Sequence, residues 1–279
     1  MLSIIVSWRD RPQLQQSLAS LIATAEKAGG DLTIVNYSGE VAMLEGLCAP
    51  FSRKPAIVDV GEQRFFNKAA AQNAGAAHTR QPVIFFCDCD IVLDADAVVA
   101  TAKAVATRQG VFATLAGVRE SELNSRGGRH IVSFGYELNI RTSDNRHLRI
   151  VDNEEDIENG TRQAPGLLLV RRRDFLSING YNSDLHGWGW EDQDMISRLV
   201  LGAGLERITE GYAVHISHDD LARMAFYPKV ASRWESRDRM FRKALSNYDE
   251  GNFRGSLDRD VASLSPFIRL RQTNGHGGT

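Results

Sequence analysis

The stretch HGWGWEDQD, residues 186–194, sets Trp188 and Trp190 among glycines and follows them with Glu191, Asp192 and Asp194. Aromatic faces beside acids hold sugars: the ring lies against C–H faces while carboxylates take the hydroxyls. Glu191 and Asp192 fall at the start of a predicted helix. There the macrodipole and the free N–H groups should keep a carboxylate ionised at neutral pH, able to take a proton from a hydroxyl. Plain N-capping is the alternative, and it leaves both tryptophans unexplained. Asp194 reads as a solvated first-turn acid.

In FFCDCD, Asp88 and Asp90 stand one residue apart at the end of an apolar strand and so point to one side. They suit a hard divalent cation or a ribose hydroxyl, although a bare DxD also serves to end a strand or cap a helix. HISHDD offers His215 and His218, followed by Asp219 and Asp220. Imidazole plus carboxylate suits Mn²⁺ better than Mg²⁺, the plainer reading being a surface His-Asp turn. SWRDR places Arg9 and Arg11 just after an apolar run; guanidinium forks suit a diphosphate or the carbonyls of a base, and also occur as ordinary surface.

The segments that carry these residues read as α/β. LSIIVSW, DLTIVNYS, AIVDV and PVIFFCDCDIVL read as strands, separated by the helical patterns RPQLQQSLASLIATAEKAGG and FNKAAAQNAGAAHT. DADAVVATAKAVATRQG reads as a further helix, with Asp94 and Asp96 as candidate caps. This order predicts a mostly parallel sheet with helices on both faces, binding its ligand beyond the carboxyl ends of the strands. Beyond it HIVSFGYELNI, GLLLVRR and GYAVHIS read as strands, and EDQDMISRLVLGAG as a helix. ASRWESRDRMFRKALSNYD reads as an amphipathic helix with Trp234, Met240, Phe241 and Leu245 on its apolar face. The polar stretch 141–163 has no legible pattern and is assigned to acceptor choice.

Composition narrows the class. An apolar fraction of 43%, a charged fraction of 24% and a net charge of -2 describe an ordinary globular chain without a nucleic-acid footprint. Three cysteines, two of them in FFCDCD, make no disulfide framework, and no second Cys/His pair completes a zinc site with them. The opening MLSIIVSWRDR lacks the basic start and the apolar length of a signal peptide or membrane span. A cytoplasmic protein is expected, with peripheral work at a membrane surface left open.

Taken in order, IIVSWRDRPQL, FNKAAAQNAG, FFCDCD, INGYNSDLHGWGWEDQDMISRL and HISHDD resemble the GT-A glycosyltransferases. Among these they are most similar to the β-1,4-galactosyltransferase family and its bacterial chondroitin-polymerase-like relatives. The resemblance implies one GT-A domain over residues 1–271, with a nucleotide-binding half (1–117), an acceptor-binding and catalytic half (118–271) and a disordered tail (272–279). It implies that Arg9, Arg11, Phe66, Lys68 and Asp88 bind the UDP of a UDP-sugar. Asp90 and His218 would hold Mn²⁺, or Mg²⁺ in its place, and His218 would sit at the hinge of a mobile loop. Trp188 would close over donor and acceptor, Glu191 bind acceptor hydroxyls, and Asp192 act as catalytic base.

Three departures from the family pattern stand out. Trp190 stands where relatives often have Gly, and is assigned to the acceptor site. His215 stands where some have a Met ligand, and is a third candidate for the metal. Gln163 or Ala164 replaces the usual aromatic that tunes the donor sugar.

The function implied is an inverting, metal-dependent transfer of a hexose or N-acetylhexosamine, galactose-type first, from a UDP-sugar to a saccharide hydroxyl. Two alternatives remain. A sugar-1-phosphate nucleotidyltransferase should carry a Gly-rich phosphate loop after the first strand, and SWRDRPQ has no glycine. A non-catalytic UDP-sugar-binding module would have no use for Asp192.

Overall fold

The structure is a computed structural model that describes residues 1–123 and 130–272. The strands are β1 (Leu2–Trp8), β2 (Asp31–Tyr37), β3 (Ala56–Val60), β4 (Val83–Asp88), β5 (Ile91–Leu93), β6 (Val111–Thr114), β7 (Gly117–Glu120), β8 (Gly135–Arg141), β9 (His147–Asn153), β10 (Thr161–Arg162), β11 (Leu168–Arg171), β12 (Glu206–Thr209), β13 (Tyr212–His215) and β14 (Ile268–Gln272). The helices are α1 (Leu14–Lys27), α2 (Val41–Cys48), α3 (Lys68–Ala77), α4 (Ala95–Thr107), α5 (Arg172–Ser177), α6 (Glu191–Ser197), α7 (Asp220–Met224), α8 (Arg233–Asp249) and α9 (Leu257–Leu264).

An eight-stranded sheet runs in the order β12-β6-β11-β4-β1-β2-β3-β14. The pairs β1–β2, β1–β4, β2–β3 and β12–β6 are parallel. β11 runs antiparallel between β4 and β6, and β14 runs antiparallel on β3. The predicted mostly parallel α/β sheet is therefore present. β1 is buried along its whole length, as a near-continuous apolar run between two parallel neighbours must be.

On one face α1 and α4 cover the sheet, α1 burying Leu14, Leu18, Leu21, Ile22 and Ala25 at helical spacing. Ala-rich α3 lies on the other. A Cβ on Gly75 would meet Ile5 Cγ2 at 2.5 Å and Val35 Cγ2 at 2.9 Å, so helix and sheet approach closely because that residue has no side chain. Asn67 caps α3 and Asp94 caps α4; Asp96, the other candidate, instead supplies a backbone N–H to Asp94. Two smaller sheets complete the fold, β10-β7-β13-β5 and the hairpin β8–β9.

The structure corrects several expectations. The helix from Glu191 is α-helical only to Ser197, after which Arg198–Gly202 is a π-turn. That turn brings Arg198 under α6, where its Nε lies 2.7 Å from Asp194 Oδ2 with both side chains 1% exposed. Tyr248 donates to the other carboxylate oxygen at 2.8 Å. Asp194 is thus a buried ion-pair partner and not a solvated acid.

On α8, Met240 is buried, but Trp234 and Leu245 are 43% and 41% exposed. The helix instead buries Arg233 and Arg237, paired with Glu154 and Asp152. The polar stretch 141–163 contains β9 and β10, and Leu148 and Ile150 of β9 face the core. Gln272 closes β14, and the tail beyond it lies outside the described residues. Among the described residues no helix is long and apolar enough to cross a membrane.

Candidate active site

Because β1 and β4 are parallel neighbours, Arg9 and Arg11 after β1 and Asp88 at the end of β4 reach the same edge of the sheet. Asp90 follows in the turn to β5. β5 pairs antiparallel with β13, setting His215 opposite Ile91 and therefore beside Asp90. The ligand atoms of Asp90, His215 and His218 lie within 4.8 Å of one another. His218 Nε2 is 3.0 Å and His215 Nε2 3.5 Å from Asp90 Oδ2, while Asp90 Oδ1 is buried with no hydrogen-bond partner among the described residues.

Behind this set, His215 Nδ1 meets Glu120 Oε2 at 2.7 Å. Arg162 Nε (2.7 Å) and Ser217 Oγ (2.9 Å) donate to the same carboxylate. A carboxylate behind a histidine fixes its tautomer and aims the other nitrogen. Burial pushes Asp90 up, yet the two imidazoles outweigh it and hold its carboxyl well below the usual range. His215 is lowered by burial and raised more by Asp90 and Glu120. Two imidazoles and a carboxylate with an orphaned oxygen fit a divalent ion of the Mn²⁺ kind.

A second cluster centres on Lys68, the first residue of α3. Its Nζ lies 2.8 Å from Asp88 Oδ1, 2.9 Å from Asp192 Oδ2 and 3.7 Å from Glu191 Oε1, and the residue is 9% exposed. Burial opposes the ammonium charge, but Asp192, Asp88 and Glu191 together raise its pKa. Burial and the charge of Asp192 push Glu191 up to about 8. Burial also raises Asp192, against the pull of Lys68.

For Glu191 burial and the neighbouring charge outweigh the backbone N–H groups, so the expectation of an ionised carboxylate at neutral pH does not hold for that residue. α6 has seven residues, and Trp190 at its N-cap stands at φ 72° with no side-chain cap. A left-handed backbone at a bulky residue, directly after Gly189 at φ 89°, is strain of the kind that collects at functional sites.

Arg9 donates to Gln63 O at 3.2 Å and lies 5.0 Å from the Phe226 ring, with Nε buried and unpaired among the described residues. Arg11 donates to Arg223 O at 3.0 Å. Phe66 packs edge-on to Tyr37 and Tyr227, and its N–H donates to Phe226 O at 2.8 Å. Trp188 has Arg223 and Arg233 at 5.8 and 5.5 Å from its ring. Trp190 is 3% exposed and packs 4.5 Å from Phe241 with its indole N–H unpaired, so it offers the pocket a donor more than a stacking face.

Every site residue named from the sequence lines one pocket: Arg9, Arg11, Phe66, Lys68, Asp88, Asp90, Trp188, Trp190, Glu191, Asp192, His215 and His218. Gln163 and Ala164 line it too. Among the described residues, Asp90 Oδ1, Glu191 Oε2, Asp192 Oδ1, Arg9 Nε and Trp190 Nε1 all lack partners, a concentration of unsatisfied buried groups that marks a ligand site.

Sequence reasoning missed Glu120 and Arg162 behind the metal set. It also missed Asp152, Glu154, Arg233 and Arg237 along the pocket wall. Alternation in HLRIVDN carried the one available signal, placing Asp152 on the inward face with Leu148 and Ile150.

A family model described as glycosyl transferase family 2 matches residues 3–164. A second, described as the N-terminal domain of galactosyltransferase, matches residues 146–219. Among solved structures, a mutant of the Drosophila β-1,4-galactosyltransferase 7 in complex with manganese, UDP-Gal and xylobiose is similar at 17% identity. Its TM-score is 0.44, and the match covers 85% of this chain and 79% of that chain. A search of curated proteins gives no match. Since the first family model spans more than half of the sequence, with the pocket built on its strands, the chain belongs to glycosyltransferase family 2 and is an enzyme of the GT-A α/β fold.

Proposed function

We propose that this glycosyltransferase moves a hexose or N-acetylhexosamine from a UDP-sugar to a hydroxyl of a saccharide acceptor, with inversion, as one domain over residues 1–271. Residues 1–117 supply the nucleotide side and 118–271 the acceptor side. The observation that carries this reading is the adjacency of two clusters in one pocket: Asp90, His215 and His218, and Lys68, Glu191 and Asp192, with Asp88 on Lys68 between them. The galactosyltransferase model over residues 146–219 spans Trp188, Asp192 and His218 and supports a galactose-type sugar. Membership of the family sets aside the nucleotidyltransferase alternative.

In this scheme Arg9 and Arg11 face the diphosphate and Phe66 the nucleoside. The acceptor hydroxyl hydrogen-bonds to the unpaired Asp192 Oδ1, while Lys68 holds Oδ2. As the hydroxyl oxygen bonds to the anomeric carbon, Asp192 takes its proton and the bond to UDP breaks on the opposite face, its electron pair leaving on the diphosphate. Burial and the charge of Asp192 push Glu191 up, which makes it the member of the acid pair suited to hold a proton and to offer a hydrogen bond from its unpaired Oε2 to an acceptor hydroxyl. Trp188 supplies a face for a sugar ring and Trp190 an N–H. Asp90, His215 and His218 would hold a Mn²⁺ ion, or Mg²⁺ in its place, which would supply positive charge against that growing on the leaving diphosphate.

The free, buried cysteines accord with a reducing, cytoplasmic setting. The test is release of UDP from UDP-galactose, UDP-glucose and their N-acetyl forms in Mn²⁺. Chelator-sensitive release from at least one donor is expected, and none from any of the four would overturn the reading.

A further inference from the structure

Trp234 belongs by spacing to the apolar face of α8, yet its side chain faces outward and is 43% exposed. Phe134, 48% exposed, sits edge-on to it at 6.5 Å, and Tyr136, at 36%, lies next along β8. None of the three lines the pocket. They are nonetheless continuous with it through two guanidinium groups. Arg233, in the pocket wall, lies 5.5 Å from the Trp188 ring on one side and 4.3 Å from the Trp234 ring on the other. Arg237, also in the wall, lies 5.7 Å from Trp234 and 5.1 Å from Tyr136.

We infer that this track of rings, from Trp188 out over Trp234 to Phe134, is an extended acceptor subsite that holds a neutral oligosaccharide several sugar units from the reacting end. The inference rests on the glycosyltransferase reading of the pocket and adds the class of acceptor: a chain, not a single sugar.

Clustered exposed aromatics mark a binding surface, and the chemistry of this one selects its ligand. Arg233 is paired with Glu154 at 2.7 Å, and Arg237 with Asp152, so the track presents matched charges and calls for neither an anion nor a cation. The rings of Trp234 and Tyr136 are interleaved with the guanidinium groups of Arg233 and Arg237, with Ile131 and Val132 exposed just before Phe134. That pattern suits ligands with C–H faces and hydroxyl rims, which are sugars, better than a protein face. The far end, Phe134, lies just before β8 of the hairpin β8–β9, a separate two-stranded sheet.

The experiment uses Trp234→Ala and Phe134→Ala in the full chain with xylo-, cello- and chito-oligosaccharides of one to six units as acceptors. For the unaltered enzyme, kcat/KM should rise with chain length for at least one series. Each variant should lose about tenfold with the long members and nothing with the monosaccharide. UDP release without acceptor should be unchanged in both variants, which shows them folded and isolates this inference from the donor reading. If that release is absent in the unaltered enzyme, the donor reading itself has failed. Length-independent kcat/KM in the unaltered enzyme, or an unchanged length dependence in both variants, overturns the subsite. A dimer by light scattering that either variant dissolves also overturns it, because the rings would then be an interface between copies of this chain.

Discussion

One ammonium among three carboxylates leaves negative charge to disperse in a buried place, and Glu191 takes up part of it by keeping its proton to about pH 8. Its ordinary value is 4.5, so the proton held by the fold stabilises the protein fully below about pH 4.5, and this contribution is lost as pH rises towards 8. Glu191→Gln removes that dependence. Without added metal or nucleotide, its Tm relative to the unaltered protein should be a few degrees higher at pH 8 than at pH 5; an equal offset at both pH values would contradict the shift. Asp192→Asn should keep UDP affinity by calorimetry and lose transfer by roughly 10²–10⁴-fold, since it removes the base. Retained turnover would take Asp192 out of the role. At this scale the sequence showed which residues meet, because Trp188, Glu191, Asp192 and the DxD sit in short contiguous runs. It did not show their protonation, which burial sets. Asp194 was misread because a first-turn acid is usually solvated; its partner Arg198 stands at i+4 and was visible, but only the π-turn and Tyr248 make the pair a buried one.

The elements set tolerances that the residues alone do not reveal. The turn before β11 passes Gly166 so close to the acid cluster that a Cβ there would meet Asp192 Oδ2 at 2.6 Å and Lys68 Nζ at 3.1 Å. Gly166→Ala should therefore displace the base by tenths of an ångström or more and lower kcat by about 10²-fold, with UDP affinity and Tm nearly kept. A variant with full kcat would show that the cluster tolerates the shift. β1 to β4, α1 and α3 were legible because a buried parallel strand is apolar throughout and a covering helix repeats its apolar residues at 3.6, whereas the short α2, which buries only Leu44 and Cys48, was not. α8 was legible as a helix and in Met240 and Phe241, which meet the core, but not in its full orientation: its buried face also carries Arg233 and Arg237, whose charges are matched by Glu154 and Asp152, and hydropathy alone gives Trp234 and Leu245 that place instead. β8 was read as a strand within HIVSFGYELNI, but its partner β9 was not, because only Leu148 and Ile150 stand as inward apolar residues in a stretch otherwise rich in charge, and so the hairpin was missed.

Across the whole molecule, the second half lends β11, β12 and β14 to a sheet founded by the first, and β13 to the small sheet that places His215. The pocket is thus assembled by one folding unit and roofed by the segment after His218. There Asp219 caps α7, whose five residues include none that is buried. The segment is held by Arg11 on Arg223 O, by the Phe66 N–H on Phe226 O and by Asp220, 3.0 Å from Arg233. Opening it breaks these few polar contacts together with the packing of Tyr227 on Phe66 and of Phe226 on Arg9, a small set of contacts that places it towards the low-stability end of the fold. In the proposed scheme Arg11 and Phe66 face the nucleotide, so a donor that binds only the closed form must draw the roof down by mass action. At a hundredfold over Kd that shift is about 2.7 kcal/mol, close to a hundredfold in the open population. Tryptic cleavage at Arg223 and Lys229 should slow by about that factor in saturating UDP and Mn²⁺, while cleavage elsewhere is unchanged. Equal rates with and without ligand would mean that the roof does not close on the donor, and Arg11 and Phe66 would then hold the segment for stability alone.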